Sequence, residues 1–207
     1  MNVEKWIEQM NRAREEKGFR TIDEMYELAK ENTIFNLFSV LIGRSVCLGK
    51  GNIIYPNVII ENIAGTIIIG ENNNLFNGTK IQNFSGKIEI GNDNEIGENA
   101  ISIKNGQGKI EIKDNCRLMN GAQIMDDCYL GNGTQVLGNI KMSGCILADG
   151  ESYKENNPNK RGGVIKGFGT ANKLRIEIGM VINGNGIMTV DMIERQEKYH
   201  PNWMGEY

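Results

Sequence analysis

Large aliphatic residues recur at every sixth position through the middle of the chain. One series comprises Ile112, Leu118, Ile124, Leu130, Val136 and Met142, and an upstream series comprises Ile63, Ile69, Leu75 and Ile81, followed after an offset by Ile90, Ile96 and Ile103. Four residues after these positions stands a column of small or turn-forming residues: Asn73, Thr79, Asn94, Ala100, Cys116, Ala122, Cys128 and Thr134. An amphipathic helix has a period of 3.6 and a half-buried strand a period of 2. A period of six therefore indicates neither an amphipathic helix nor a half-buried strand alone.

A longer repeat is superimposed on this period. The segments that begin at Gly65, Gly86 and Gly108 read GTIIIG, GKIEIG and GKIEIK and lie 21 and 22 residues apart. These spacings exceed three six-residue units by three or four residues. We therefore expect a small insertion at one corner of each coil, near Asn83–Lys87 and again near Lys104–Lys109.

A six-residue unit with one aliphatic and one small residue fits one side of a three-sided parallel coil. The aliphatic side chain fills the interior, and glycine or asparagine accepts the positive φ of the corner. From Ile53 to Met142 the pattern resembles the hexapeptide-repeat superfamily, whose units carry L/I/V, then G/A/E/D, and S/T/A/V three positions later. The resemblance implies an all-β solenoid, a left-handed parallel β-helix. A right-handed parallel β-helix, whose coils are longer, is the alternative.

The N-terminal 34 residues are predicted to form a helical cap. Val3, Trp6, Ile7 and Met10 have helical spacing, and Thr21 and Glu24 form a capping-box pattern. We expect helices over 3–16 and 22–31, with Phe35–Ile42 beginning the coil and the repeats extending over 35–148. Covering the first coil is the expected role of these helices, and binding a partner is the alternative.

Residues 149–207 are predicted to hold an extruded loop, the last coils and a C-terminal helix or tail. Asp149–Arg161 is polar and breaks the period, and Arg161–Gly169 then combines four glycines with two cations. Backbone N–H groups beside Arg and Lys make a cradle for phosphate or carboxylate. The predicted ligand-binding residues are Lys160, Arg161, Gly162, Gly163, Lys166, Gly167 and Gly169. The alternative is that these glycines only turn the corners of further coils, to which Ile176, Ile178, Val181, Ile182 and Ile187 would contribute.

The C-terminal stretch Val190–Lys198 is predicted to be a short charged helix that ends before Pro201. His200 and Trp203 follow it. His200 is the only histidine in the chain.

Composition narrows the function classes. A formal net charge of −3 and a pI near 5.4 argue against general nucleic-acid binding. A single histidine and four scattered cysteines argue against a metal site and indicate reduced thiols. No stretch approaches 18 apolar residues, so we expect a cytoplasmic protein without membrane spans.

The superfamily resemblance also implies chemistry. Its characterised members are mostly trimeric acyltransferases that use an acyl thioester of coenzyme A or acyl-carrier protein and a histidine as general base. The segment Gly108–Ile124 resembles the run that precedes this histidine in sugar O-acetyltransferases, but here Met125, Asp126, Asp127 and Cys128 follow. The candidate catalytic residues are therefore His200, Asp126 and Asp127. Cys128 stands in the small-residue column, where a buried structural thiol is expected, and Tyr129 and Tyr153 are candidates for stacking on a ring.

Three functions remain in competition. The first is a hexapeptide-repeat acyltransferase that acts on a sugar or another small polar acceptor. The second is a non-catalytic homotrimer that binds an anionic small molecule such as a nucleotide or sugar nucleotide. The third is a structural module for protein partners.

Overall fold

The computed structural model describes residues 3–201, which form two N-terminal helices followed by 22 strands. Helix α1 is Val3–Glu16, as predicted, and helix α2 is Ile22–Leu28. The capping box at the start of α2 is present: Glu24 N donates to Thr21 Oγ1 at 3.2 Å, and Thr21 N donates to Glu24 Oε2 at 2.7 Å. Helix α2 ends three residues before the predicted bound, in a turn over residues 29–31.

The strands stack in parallel on three faces of a solenoid of about seven turns. The first face holds Thr33–Ile34, Ile53–Ile54, Asn74–Leu75, Glu95–Gly97, Arg117–Met119 and Gln135–Leu137. The second face holds Leu41–Ile42, Ile59–Asn62, Lys80–Asn83, Ser102–Asn105, Gln123–Met125 and Ile140–Ser143. The third face holds Val46–Leu48, Thr66–Ile69, Lys87–Ile90, Lys109–Ile112, Tyr129–Leu130, Ile146–Leu147 and Arg175–Ile176. Two long strands, Val164–Asn172 and Met180–Met188, extend across the first and second faces.

Strand register gives the length of each coil. Arg117 pairs with Gln135, 18 residues later, so this coil has three sides of six residues, whereas Glu95 pairs with Arg117, 22 residues later. Three extra residues of the longer coils lie between the second and third faces, near Asn83–Lys87 and Lys104–Lys109 as predicted. In the 22-residue coil a fourth extra residue lies between the first and second faces, since Asn74 pairs with Glu95 but Lys80 with Ser102. The predicted all-β parallel solenoid with short N-terminal helices is confirmed.

The six-residue columns face the interior, with two exceptions. All six aliphatic residues from Ile112 to Met142 are buried in one continuous core. Ile63 is 58% exposed, so its assignment to the core is wrong: it follows the strand Ile59–Asn62, in the enlarged corner. Ala100 is also exposed because it turns a corner at φ 58°.

Asparagine has a second role that the repeat pattern did not predict. Asn32, Asn52, Asn73 and Asn94 form an interior ladder, in which each side-chain Oδ1 accepts the backbone N–H of the ladder residue in the next coil, at 2.7–3.0 Å, ending on Cys116. Since the ladder is buried, these amides satisfy backbone groups that water cannot reach. The high asparagine content therefore serves the interior as well as the corners.

The predicted N-terminal cap is formed by only one helix. Met25 of α2 is fully buried in the core. Helix α1 is attached through the guanidinium of Arg14, which donates to the carbonyls of Leu37 and Val40. Its apolar stripe is largely exposed, with Val3 64% and Trp6 56% accessible, so the predicted covering role is wrong for α1.

The predicted helix Val190–Lys198 is not formed. Short 3-10 helices, Val190–Met192 and Gln196–Tyr199, flank a strand, Ile193–Arg195. This strand pairs antiparallel with Met180–Ile182 of the last coil, and that pairing replaces helical hydrogen bonds. Of the residues predicted for further coils, Ile176, Val181 and Ile182 are buried, whereas Ile178 and Ile187 are exposed. Trp203 lies outside the described residues.

No helix within residues 3–201 is long and apolar enough to cross a bilayer.

Candidate anion site

A pocket of about 150 Å³ lies between the first face and the C-terminal segment, where the last coils end. The strands Gln135–Leu137 and Val164–Asn172 form its floor, and the 3-10 helix Gln196–Tyr199 with His200 forms its wall. The lining residues are Gln135, Leu137, Arg161, Val164, Lys166, Val181, Gln196, Tyr199 and His200. The structure thus brings together three residues predicted separately from the sequence, Arg161, Lys166 and His200.

The C-terminal segment is held against the solenoid by buried polar contacts. Gln196 Nε2 donates to the carbonyl oxygens of Gly162 at 2.7 Å and Met180 at 3.2 Å. Asn159 Nδ2 donates to Glu197 Oε2 at 2.6 Å. Because Gln196 is 2% exposed, its amide donates in a site that excludes water, where unmade hydrogen bonds are costly. These contacts fix the position of His200 relative to Arg161.

Arg161 and His200 contact each other although 39 residues separate them. Arg161 Nη1 lies 3.2 Å from His200 Nε2. A guanidinium has no acceptor, so Nη1–H donates and Nε2 accepts. The proton of the neutral imidazole is therefore on Nδ1. Arg161 Nε donates to the carbonyl oxygen of Glu155 at 2.6 Å, which orients the guanidinium.

Lys166 supplies the second positive charge. Its Nζ lies 3.9 Å from the centroid of the Tyr199 ring, a cation–π contact. The Tyr199 hydroxyl donates to Glu194, which also pairs with Lys198. No Asp or Glu lines the pocket, so nothing in its lining neutralises Arg161 and Lys166.

Burial and charge both act on the ionisable groups of the pocket. Partial burial lowers the pKa of Arg161 and the pKa of Lys166 from their usual values. The pKa of His200 is lowered first by burial and then by the positive charges of Arg161 and Lys166. His200 is therefore neutral at pH 7, since even its ordinary pKa is about 6.5.

The predicted glycines have a different role from the cradle proposed for them. Gly163 N already donates to Ala148 O at 3.1 Å, and Gly169 N donates to Asn139 O at 3.0 Å, so neither N–H is free for an anion. At these two residues the prediction of an N–H cradle is wrong. Gly163 and Gly169 instead form backbone hydrogen bonds between coils, in agreement with the alternative that these glycines belong to further coils.

Close packing explains why these positions are glycine. A Cβ at Gly167 would lie 1.9 Å from Gly184 O, and one at Gly169 would lie 1.9 Å from Gly186 O. A Cβ at Gly162 would lie 2.5 Å from a backbone oxygen of the coil below. Lys160, the remaining predicted ligand-binding residue, is exposed and does not line the pocket.

Asp126 and Asp127 lie at a different corner, between the second and third faces. Asp126 Oδ1 accepts the N–H of Gly106, and Asp127 Oδ1 accepts the N–H of Lys109 at 3.2 Å. Neither aspartate lines the pocket that holds His200. The structure therefore does not join the three candidate catalytic residues in one site.

Cys128 is a buried thiol, as expected from its column. Burial raises its pKa to about 12, so it is protonated at neutral pH. All four cysteines are free. Among residues 3–201 no group of three or more His, Cys, Asp or Glu side chains could hold a metal ion.

The two candidate stacking tyrosines are already engaged. Tyr129 donates its hydroxyl to Asp149 Oδ2 at 2.7 Å. The Tyr153 ring lies 5.9 Å from the Arg117 guanidinium carbon and 5.3 Å from Lys154 Nζ. Neither lines the pocket.

Sequence reasoning missed Gln196, Gln135 and Tyr199 as pocket residues. Gln196 was assigned to a charged helix, in which a glutamine is ordinary. Its role depends on the antiparallel pairing of Ile193–Arg195, which places it over Gly162. No local signal in the sequence indicates that contact.

Comparison with known proteins yields structural likenesses only. No protein-family model and no curated protein matches the chain. Two solved structures that it resembles are LpxA from Acinetobacter baumannii and the UDP-N-acetylglucosamine acyltransferase of Francisella novicida. LpxA is 18% identical, with 84% of this chain and 77% of LpxA covered and a TM-score of 0.40. The Francisella protein is 16% identical, with 74% of this chain and 67% of its own covered and a TM-score of 0.41.

Likeness at these values assigns no activity. The coil itself defines the fold: a three-sided parallel β-solenoid with a continuous aliphatic ladder inside.

Proposed function

We propose that this protein binds the anionic group of a small molecule, a phosphate or a carboxylate, in the pocket between Arg161, Lys166 and His200. The observation that carries the proposal is the convergence of two cations on a pocket lined by no carboxylate. Both cations are partly withdrawn from water, and this loss of hydration lowers the pKa of each. A bound anion would offset that cost.

The chemistry of the lining suits an oxyanion. The guanidinium of Arg161 has donors beyond those given to Glu155 and His200, and Lys166 offers an ammonium. Arginine binds phosphate and carboxylate with paired, charge-assisted hydrogen bonds. A pocket of about 150 Å³ has room for far more than the single water that about 10–15 Å³ accommodates.

A calorimetric titration tests this proposal. Inorganic phosphate, citrate and a nucleoside diphosphate are titrated into the wild type and into Arg161→Gln and Lys166→Met. We expect binding by the wild type and at least a tenfold loss of affinity in each variant. Lys141→Met is the matched control, because Lys141 is an exposed lysine on the second face. Equal affinity of all four proteins for every anion would contradict the proposal.

A second candidate function is acyl transfer from a thioester such as acyl-coenzyme A to a hydroxyl or amine of a small polar acceptor. One specific observation favours it: the lowered pKa keeps His200 neutral, as a general base must be. In this reaction the acceptor oxygen or nitrogen attacks the thioester carbonyl, its proton passes to the imidazole, and the thiolate leaves. The phosphates of coenzyme A would bind Arg161 and Lys166.

Acyl transfer is tested by thiol release from acetyl-coenzyme A in the presence of sugars and amines. Turnover that falls at least a hundredfold in His200→Gln would support it, and absence of turnover with every acceptor would contradict it.

We further propose that the protein is a cytoplasmic homotrimer. Light scattering that gives the mass of a monomer would exclude the trimer.

A further inference from the structure

We infer that an anion bound by Arg161 releases Nε2 of His200 and so converts a blocked imidazole into a proton acceptor. This inference rests on the proposed anion site and concerns its regulation. It starts from one contact: Arg161 Nη1 donates to His200 Nε2 at 3.2 Å. In that state the lone pair of Nε2 is occupied, and Nδ1 carries the proton.

A neutral imidazole is a weak competitor for a guanidinium. The Arg161–His200 hydrogen bond has one charged partner, whereas an oxyanion adds a second, opposite charge and can accept two parallel N–H bonds from the guanidinium. Arg161 is held in place through Nε, which donates to Glu155 O at 2.6 Å. Because the guanidinium is a rigid plane, this anchor also fixes the directions of its terminal N–H groups, so the His200 ring is the partner that turns away. An oxyanion that accepts paired hydrogen bonds from Nη1 and Nη2 therefore takes the donor that His200 now receives.

A bound anion also changes the electrostatic environment of the imidazole, and this change favours its protonation as well. Arg161 and Lys166 are the charged groups that face His200 from the solenoid, and both hold its pKa down. From the C-terminal segment, Glu194 is engaged by Tyr199 and Lys198, and Glu197 by Asn159. Glu155 acts on Arg161. An anion neutralises the two facing cations, so the imidazole gains both a free lone pair and a higher proton affinity.

The position of His200 makes this exchange local. Its backbone N–H donates to Glu197 O at 3.0 Å, and Gln196 ties the same turn to Gly162, the residue after Arg161. Neither anchor involves the imidazole or the guanidinium fork. The two side chains can therefore separate while the backbone remains in place.

The single histidine allows a direct measurement. Nitrogen-15 NMR of the wild type follows Nδ1 and Nε2 of His200 from pH 4.5 to 8.5, with and without saturating sulfate, an anion that does not titrate in this range. We expect sulfate to raise the pKa of His200 by one unit or more. By linkage, sulfate then binds at least tenfold more tightly below the lower pKa than above the higher one.

Variants separate this inference from the proposed site. In Arg161→Met, Nε2 is free from the outset, so the His200 pKa measured without sulfate should lie above that of the wild type; circular dichroism and the melting temperature show whether that variant is folded. His200→Gln should bind sulfate with an affinity that no longer varies with pH, which tests the inference if Arg161→Met does not fold. Sulfate binding to the wild type without a pKa change would overturn the inference and leave the anion site standing. No sulfate binding at any pH would overturn both.

Discussion

Gln196 donates a hydrogen bond to the carbonyl oxygen of Gly162 at 2.7 Å, and this contact joins the C-terminal segment to the residue that follows Arg161. The same amide group reaches Met180 O, so one side chain connects the extruded loop, the last coil and the wall of the pocket. Gln196 is therefore a positioning residue for His200, although it is not itself charged or reactive.

Replacing Gln196 by Leu should release the wall of the pocket. Two carbonyl oxygens lose their donor, and each buried, unsatisfied group costs about 1–3 kcal/mol. We expect faster hydrogen exchange over Ile193–Tyr199 and at least tenfold weaker phosphate binding. Gln123→Leu, at an exposed position on the second face, is the control. Unchanged exchange in Gln196→Leu would mean that the strand pairing of Ile193–Arg195 holds the segment alone.

His200 should make the protein less stable in weak acid. Its folded-state pKa lies below the unfolded value of about 6.5, so the unfolded chain binds the proton more readily as the pH falls below 6.5. The free energy of unfolding should therefore decrease between pH 7.5 and pH 5.5. Urea denaturation of the wild type and His200→Gln measures this, because Gln can still accept from Arg161 and does not titrate. A wild type that loses no more stability than the variant in this range would contradict the prediction.

The solenoid could be predicted because its cause is local and repeated. Ile112, Leu118 and Ile124 each face the interior because they occupy the aliphatic position of a six-residue unit, and this unit recurs along the sequence. Deviations such as exposed Ile63 occur where inserted residues enlarge a corner. The capping box at Thr21 is also local, and it was predicted correctly.

The site could be predicted only in part, because it depends on contacts between distant segments. Arg161 and Lys166 were visible as cations among glycines, and His200 as the single histidine. The contact between Arg161 and His200 depends on the path of the chain after the last coil. The strand Ile193–Arg195 sets that path by pairing with the last coil, whereas the sequence predicts a helix there. The glycines were ambiguous because anion cradles and tight corners both select for glycine.

The interior asparagine ladder should contribute strongly to stability. Asn73 Oδ1 accepts Asn94 N at 3.0 Å, and Asn73 Nδ2 donates to Asn52 Oδ1 at 3.1 Å and to Gly91 O at 2.9 Å. Asn73→Ala leaves buried partners unsatisfied, and we expect a loss of about 3 kcal/mol in the free energy of unfolding. Asn185→Ala, at an exposed position, should change it by less than about 0.5 kcal/mol. Similar denaturation midpoints for the two variants would refute the role of the ladder.

Only one cysteine should react in the native protein. Cys47 is exposed, whereas burial raises the pKa of Cys116 to about 11, that of Cys128 to about 12, and that of Cys145 above its usual value. A thiol-disulfide reagent at pH 8 should therefore release one equivalent rapidly, and four after denaturation. Cys47→Ser should release none while folded. Rapid release of two or more equivalents by the native wild type would contradict this burial.

Gly167 and Gly186 separate the two reasons for glycine in the last coils. Both have positive φ, +120° and +80°, but a Cβ at Gly167 would lie 1.9 Å from Gly184 O, whereas one at Gly186 would meet nothing within 4 Å. Gly186→Ala should cost about 1–2 kcal/mol from backbone strain. Gly167→Ala adds a collision with backbone that cannot move without separating two coils, so we expect a drop in melting temperature at least twice as large, or no folded protein. Equal melting temperatures would show that close packing of coils does not explain this glycine.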